Sequence, residues 1–316
     1  KLFCERVIFM CDFLDYEQHL SDALEGLFFK APQYEKLREL IKVQCQDKSD
    51  GVIFAVRKNE IHIYYLGGRI LKITKSYNKL RFFFDLKYAK KQKASDELNE
   101  YGDIIKKLNE NPYDVDLWVE HFNKLKLCMK NYRENVSPNP ERQLQQVLEL
   151  ENRDFDGEVV IIDNEYGVRE EHSKNSKLCK VDLVALYKDS AKYKICLIEL
   201  KLGDGAIAGK AGITDHIKSC KLFLGKRKRD IIASVNNLIE YKKSNGFLLN
   251  APSDIKLCED TEICVSVLCY DLPEQKRSKA ESFIEEGGKE ISFELHFNTR
   301  LKSCCHILSK KDILGE

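Results

Sequence analysis

The chain turns on Val181-Asp182-Leu183-Val184-Ala185-Leu186-Tyr187, the polar run Lys188-Asp189-Ser190-Ala191-Lys192, and Ile195-Cys196-Leu197-Ile198-Glu199-Leu200-Lys201. Both apolar segments are rich in β-branched and aliphatic residues and read as strands. The polar run between them makes the pair a β-hairpin. Side chains alternate along a strand, so Glu199 and Lys201 share one face while Ile198 and Leu200 share the other. Asp182 opens the first strand, so two carboxylates and a lysine converge at one end of the hairpin. Charges on apolar strands are costly to bury unless something pairs with them, and a divalent cation would do so. The plain alternative is an edge hairpin whose Glu and Lys form a surface pair worth little energy.

Upstream, Glu141 to Leu150 has helical spacing, with Asn139 placed as N-cap and Pro140 at the first helical position. Glu158 to Ile162 reads as a strand, followed by a polar turn through Gly167. Downstream, Gly203-Asp204-Gly205 breaks the chain before a helix from about Ala208 to Leu224, and a second helix covers Asp230 to Lys243. Ile263 to Tyr270 is a buried strand by composition. Glu274 to Glu286 is an amphipathic helix ended by Gly287-Gly288, and Ile291 to Phe297 is a last strand. From Glu141 onward the order is α-β-β-β-α-α-β-α-β.

The arrangement Asp182-x16-Glu199-x-Lys201 across a hairpin resembles the PD-(D/E)xK, or restriction-endonuclease-like, nuclease superfamily. The Pro that often precedes the Asp is absent here, where Lys180-Val181 stands. The resemblance spans about 175 residues, of which about 20 carry the motif. It implies a mixed sheet flanked by helices and a metal-dependent phosphodiester hydrolase, with DNA as the expected substrate and RNA left open. Asp182 and Glu199 would bind the metal, with the Leu200 backbone carbonyl as a further ligand, and Lys201 would orient the attacking water or stabilise the reacting phosphate. Glu141 fits the E-x-x-L-x-x-x-L form of a first helix that supplies a further carboxylate, with Glu149 a weaker candidate. His216 or Lys218 would be helper residues. Hard oxygen ligands imply Mg²⁺ or Mn²⁺ rather than zinc. The superfamily includes restriction, repair and phage-defence nucleases, and its members often act as dimers or higher oligomers. A catalytically silent nucleic-acid-binding or assembly protein with the same fold is the alternative.

Composition fits this. The 316 residues are 43% hydrophobic and 33% charged, as expected of a globular α+β protein of about two domains. No apolar run is long enough to span a bilayer, so no membrane partner is expected. The twelve cysteines contain no C-x-x-C pair, and they read as reduced thiols of a cytoplasmic protein. Net charge is only +1, yet residues 205–243 hold nine basic residues against three acids. Within them Lys218, Lys221, Arg227 and Arg229 are the candidate phosphate contacts.

The first half has a different character. Residues 1 to about 50 read as mostly helical. Gly51 to Leu86 follows as four strands of an antiparallel meander, with turns at Lys58-Asn59, Gly67-Gly68 and Ser76-Tyr77-Asn78. Ser95 to Tyr132 is helical, interrupted at Asn111-Pro112, with Trp118, Phe122, Leu125 and Met129 as a core stripe. Ser137-Pro138-Asn139-Pro140 is the linker. This divides the chain into an N-terminal module (1–136) for regulation, recognition or assembly and a nuclease-like domain (137–316).

Overall fold

A computed structural model describes residues 14–16, 20–57, 59–89, 96–170, 177–190, 192–203, 213–288, 295–300 and 307–315. Among them are two sheets, one of four strands and one of six. A short strand β1 (Leu14–Tyr16) comes first. Helices α1 (Asp22–Glu25) and α2 (Glu35–Gln46) follow. The meander is β2 (Ile53–Arg57), β3 (Glu60–Tyr65), β4 (Gly68–Ser76) and β5 (Lys79–Phe83). All its pairings are antiparallel and between sequence neighbours. The turn between β3 and β4 is Leu66-Gly67, one residue earlier than expected. Both have positive φ, +49° and +66°, as a two-residue turn matched to the strand twist requires.

Helices α3 (Asp96–Glu110), α4 (Val115–Glu120) and α5 (Phe122–Asn135) pack on one face of the meander. Trp118, Phe122, Leu125 and Met129 are all buried in that core, beside Phe54, Ile63 and Phe82. Phe247 joins it from the second half of the chain, its ring stacked on Phe54 at 4.1 Å.

The second half runs α6 (Pro140–Glu151), β6 (Val159–Glu170), β7 (Lys177–Asp189), β8 (Lys192–Leu202), α7 (Ile213–Ser244), β9 (Ile263–Tyr270), α8 (Glu274–Gly288), β10 (Leu295–Arg300) and α9 (Lys310–Leu314). Its sheet has the order β1-β6-β7-β8-β9-β10. β6, β7 and β8 form an antiparallel meander, while β9 and β10 add in parallel to β8. β8 is therefore a central strand covered on both faces. Cys196, Ile198 and Leu200 lie in the core with Leu144 and Leu148 of α6. Ile195 and Leu197 lie in the core with Ile231 and Val235 of α7.

Two sequence expectations change. The two helices expected over residues 208–243 are one 32-residue helix, α7; residues 204–212 lie outside the described residues. The turn expected through Gly167 is strand, because β6 continues to Glu170 and pairs with β7. The first fifty residues are mostly helical among those described, as expected, with one short strand added. β1 leaves the N-terminal segment to pair antiparallel with β6, Asp15 opposite Arg169.

Candidate active site

Each carboxylate of the candidate site has a local cause. β7 and β8 pair from Asp189–Lys192 down to Leu183–Ile198, which leaves Asp182 and Glu199 at the next step of the ladder. There the Asp182 side chain replaces a strand partner: Leu200 N–H donates to Asp182 Oδ2 at 2.8 Å. Glu199 and Lys201, two apart on β8, point the same way. Lys201 Nζ donates to Glu199 Oε1 at 2.6 Å. Glu199 is 3% and Lys201 5% exposed, so this is a buried pair on a central strand, not the surface pair of an edge hairpin.

The third contributor is α6. It starts where the sequence indicates: Asn139 Oδ1 accepts from Arg142 N–H at 3.1 Å, with Pro140 in the first turn. One turn on, Gln145 Nε2 donates to Asp182 Oδ1 at 2.7 Å. Glu141 lies four residues before Gln145, hence on the same side of the helix. Its charge is felt at both Asp182 and Lys201.

Electrostatics follow from this enclosure. Burial, then the facing Glu199 carboxylate, push the Asp182 pKa up to about 8. The Leu200 N–H and Lys201 oppose that rise, and Glu141 adds to it. Burial disfavours the Lys201 charge, but Glu199, in direct contact, and Asp182 outweigh it and raise the lysine's pKa. The rise at Asp182 marks a carboxylate whose charge its surroundings do not fully offset, the condition a divalent ion would relieve.

Among the described residues, no three His, Cys, Asp or Glu side chains stand close enough together to hold a metal ion. The ligand set expected from the sequence is Asp182 and Glu199, with the carbonyl of Leu200, the residue after Glu199, and Glu141 in the first turn of α6. These hard oxygens suit Mg²⁺ or Mn²⁺. In the conformation described, Lys201 occupies one Glu199 oxygen and Gln145 and Leu200 N–H hold both Asp182 oxygens.

Comparison with known proteins gives no family model, no curated protein and no solved structure that matches the chain.

The remaining candidates divide. Glu149 is not at this site. It lies two turns further along α6, where its carboxylate accepts from Asn164 Nδ2 at 2.7 Å and Lys242 Nζ at 3.2 Å. Lys242, counted in the basic stretch, is buried in that same network and faces no solvent. Arg229 is exposed on α7, with Glu259 3.5 Å away. The side chains of His216, Lys218, Lys221 and Arg227 lie outside the described residues. Gln145 is the site residue that sequence reasoning missed. Its one signal is position, four residues after Glu141 on a helix.

Proposed function

We propose that the protein is a metal-dependent phosphodiester hydrolase acting on DNA, with a restriction-endonuclease-like domain over residues 137–316. One observation carries the reading: the part-buried Asp182 and the buried Glu199 and Lys201 lie together where the β7–β8 ladder ends, with Gln145 of α6 on Asp182. The succession of α6, an antiparallel β6-β7-β8 meander, a long helix and a parallel β9 supports it.

Asp182 and Glu199 would hold the ion, joined by the Leu200 carbonyl, with Glu141 as a further carboxylate. Bound Mg²⁺ or Mn²⁺ supplies an acidified water and neutralises charge on a phosphate. Gln145 and the Leu200 N–H fix the orientation of Asp182, so the carboxylate is set before any ligand arrives. Lys201, held cationic by Glu199 and Asp182, would turn its ammonium to the negative charge that develops on the phosphate oxygens. Arg229, with Lys218, Lys221 and Arg227 of the same helix, would contact the backbone phosphates of the substrate. Residues 1–136 would regulate, recognise or assemble. The exposed thiol of Cys258 suits a cytoplasmic protein, and a homodimer or higher oligomer fits the reading.

A second reading is favoured by the self-satisfied geometry of the cluster. With Lys201 on Glu199 and Gln145 on Asp182, a catalytically silent nucleic-acid-binding protein would have the same fold.

The test is cleavage of supercoiled plasmid in Mg²⁺, Mn²⁺ or EDTA by wild type, Asp182→Ala and Glu199→Ala. Metal-dependent nicking that both variants lose, by about 10³-fold or more, is the expected result. Equal cleavage by wild type and variants would end the assignment. No cleavage, with a gel shift retained, would select the silent reading.

A further inference from the structure

The β3–β4 turn of the meander lies directly on the first turns of α6. A Cβ at Gly67 would stand 2.5 Å from Arg142 Cβ and 2.8 Å from the Arg142 carbonyl oxygen. Only glycine permits that approach, and its φ of +66° asks for glycine independently. Directional bonds close the contact. Gly67 N–H donates to Gln146 Oε1 at 2.9 Å, and Gln146 Nε2 donates to the Gly51 carbonyl at 3.1 Å. Buried Arg133, on α5, donates to the carbonyls of Leu66 at 3.1 Å, Gly67 at 2.9 Å and Ser137 at 3.0 Å. One guanidinium thus ties the turn to the linker that leads into α6.

The arrangement along α6 gives this clamp its consequence. Arg142 and Gln146 meet the meander. Their immediate neighbours, Glu141 and Gln145, belong to the candidate site. In the second half of the chain, Glu165 pairs with Arg142, and Asn164 and Lys242 hold Glu149. Leu144 and Leu148 anchor the helix in the core, but apolar contacts are non-directional and tolerate small rotations. Hydrogen bonds and a glycine-tight backbone contact do not. A rotation of α6 that released Gln146 from Gly67 would carry Gln145 off Asp182.

We infer that the N-terminal meander is a control element of the candidate site: it sets the rotation of α6, and through Gln145 the pose of Asp182. Gln146, Gly67 and Arg133 are positioning residues on this account. Control of catalysis by the meander rests on the nuclease reading above; control of the Asp182 pose does not.

The experiment uses the full chain with Gly67→Ala and, as a variant that adds no atom at the turn, Gln146→Ala. The main readout is hydrogen exchange at the Leu200 amide, which reports the Asp182 bond directly. Both clamp variants should exchange there about tenfold faster or more, while the other β8 amides keep their protection. Plasmid cleavage with Mn²⁺ should fall in the same variants. Ile73→Val, which loosens the meander core without touching the clamp, should leave Leu200 unchanged. Wild-type exchange at Leu200 in both clamp variants would overturn the inference, as would equal acceleration by Ile73→Val. If wild type neither binds Mn²⁺ nor cuts DNA, the nuclease reading fails, and the Leu200 amide still decides whether the meander sets the pose.

Discussion

His62 shows how a single buried side chain fixes a pH dependence away from the candidate site. It is 7% exposed on β3. Its Nε2 lies 2.8 Å from Glu60 Oε2 and its Nδ1 3.0 Å from the Tyr64 hydroxyl. A neutral ring with its proton on Nε2 satisfies both, donating to Glu60 and accepting from Tyr64. Burial pushes its pKa down to about 4; the Glu60 contact opposes this, and the charges of Arg69 and Arg57 add to it. The folded-state value is below the unfolded one. The contribution to stability is therefore complete above pH 6.5 and is lost as pH falls toward 4. Wild type should lose roughly 2–3 kcal/mol more than His62→Gln between pH 7 and pH 4. Urea melts of both proteins at the two pH values measure this. Parallel losses would mean that His62 titrates normally in the fold.

At the scale of elements, local signals explain what the sequence reveals. The hairpin around Asp189 and the four-stranded meander rest on alternation and turn residues, which act over a few positions. The start of α6 rests on Asn139 and Pro140 in the same way. Because Asn139 Oδ1 takes the Arg142 N–H, Asn139→Ala should cost about 1 kcal/mol, and Asn139→Asp should preserve the cap. Chemical denaturation tests both, and an unchanged midpoint for Asn139→Ala would show that the first turn of α6 is held from outside. The break expected within α7 fails for a different reason. Gly225 and the charges from Lys226 to Arg229 suggest an end. Yet Ile217, Cys220 and Leu224 are buried before them, and Ile231, Val235 and Leu238 after them, at helical intervals. Packing along that face outweighs a glycine cost of about 1 kcal/mol. Gln145 was illegible for a third reason: its partner is 37 residues away, and an exposed-looking polar residue on a helix carries no local mark of it.

At the scale of the whole molecule, the two sheets meet through buried charge. Arg57, at the end of β2, donates to Asp163 of β6 from Nη1 at 3.0 Å and from Nη2 at 3.1 Å. The same guanidinium reaches the carbonyl and side chain of Asn164. Asn164 and Lys242 then hold Glu149 of α6, and Lys242 also reaches the Ile162 carbonyl. Asp163 is fully buried and Arg57 is 5% exposed. In sequence each is only a charge beside an apolar strand run, with its partner 106 residues off. Replacing such a pair with apolar residues of similar volume is often neutral, whereas removing one partner strands the other in a dry site. Arg57→Met alone should therefore cost about 3–5 kcal/mol, and Arg57→Met with Asp163→Leu should recover much of it. Trp118, the single tryptophan, sits in the meander core and reports that half of the molecule, while far-ultraviolet dichroism reports the whole. In wild type the two probes should unfold together. In Arg57→Met the tryptophan transition should move ahead of the other, because the meander loses the charge that joins it to β6. A loss below about 1 kcal/mol with coincident probes would transfer the coupling of the two halves to the apolar contact of Phe54 with Phe247.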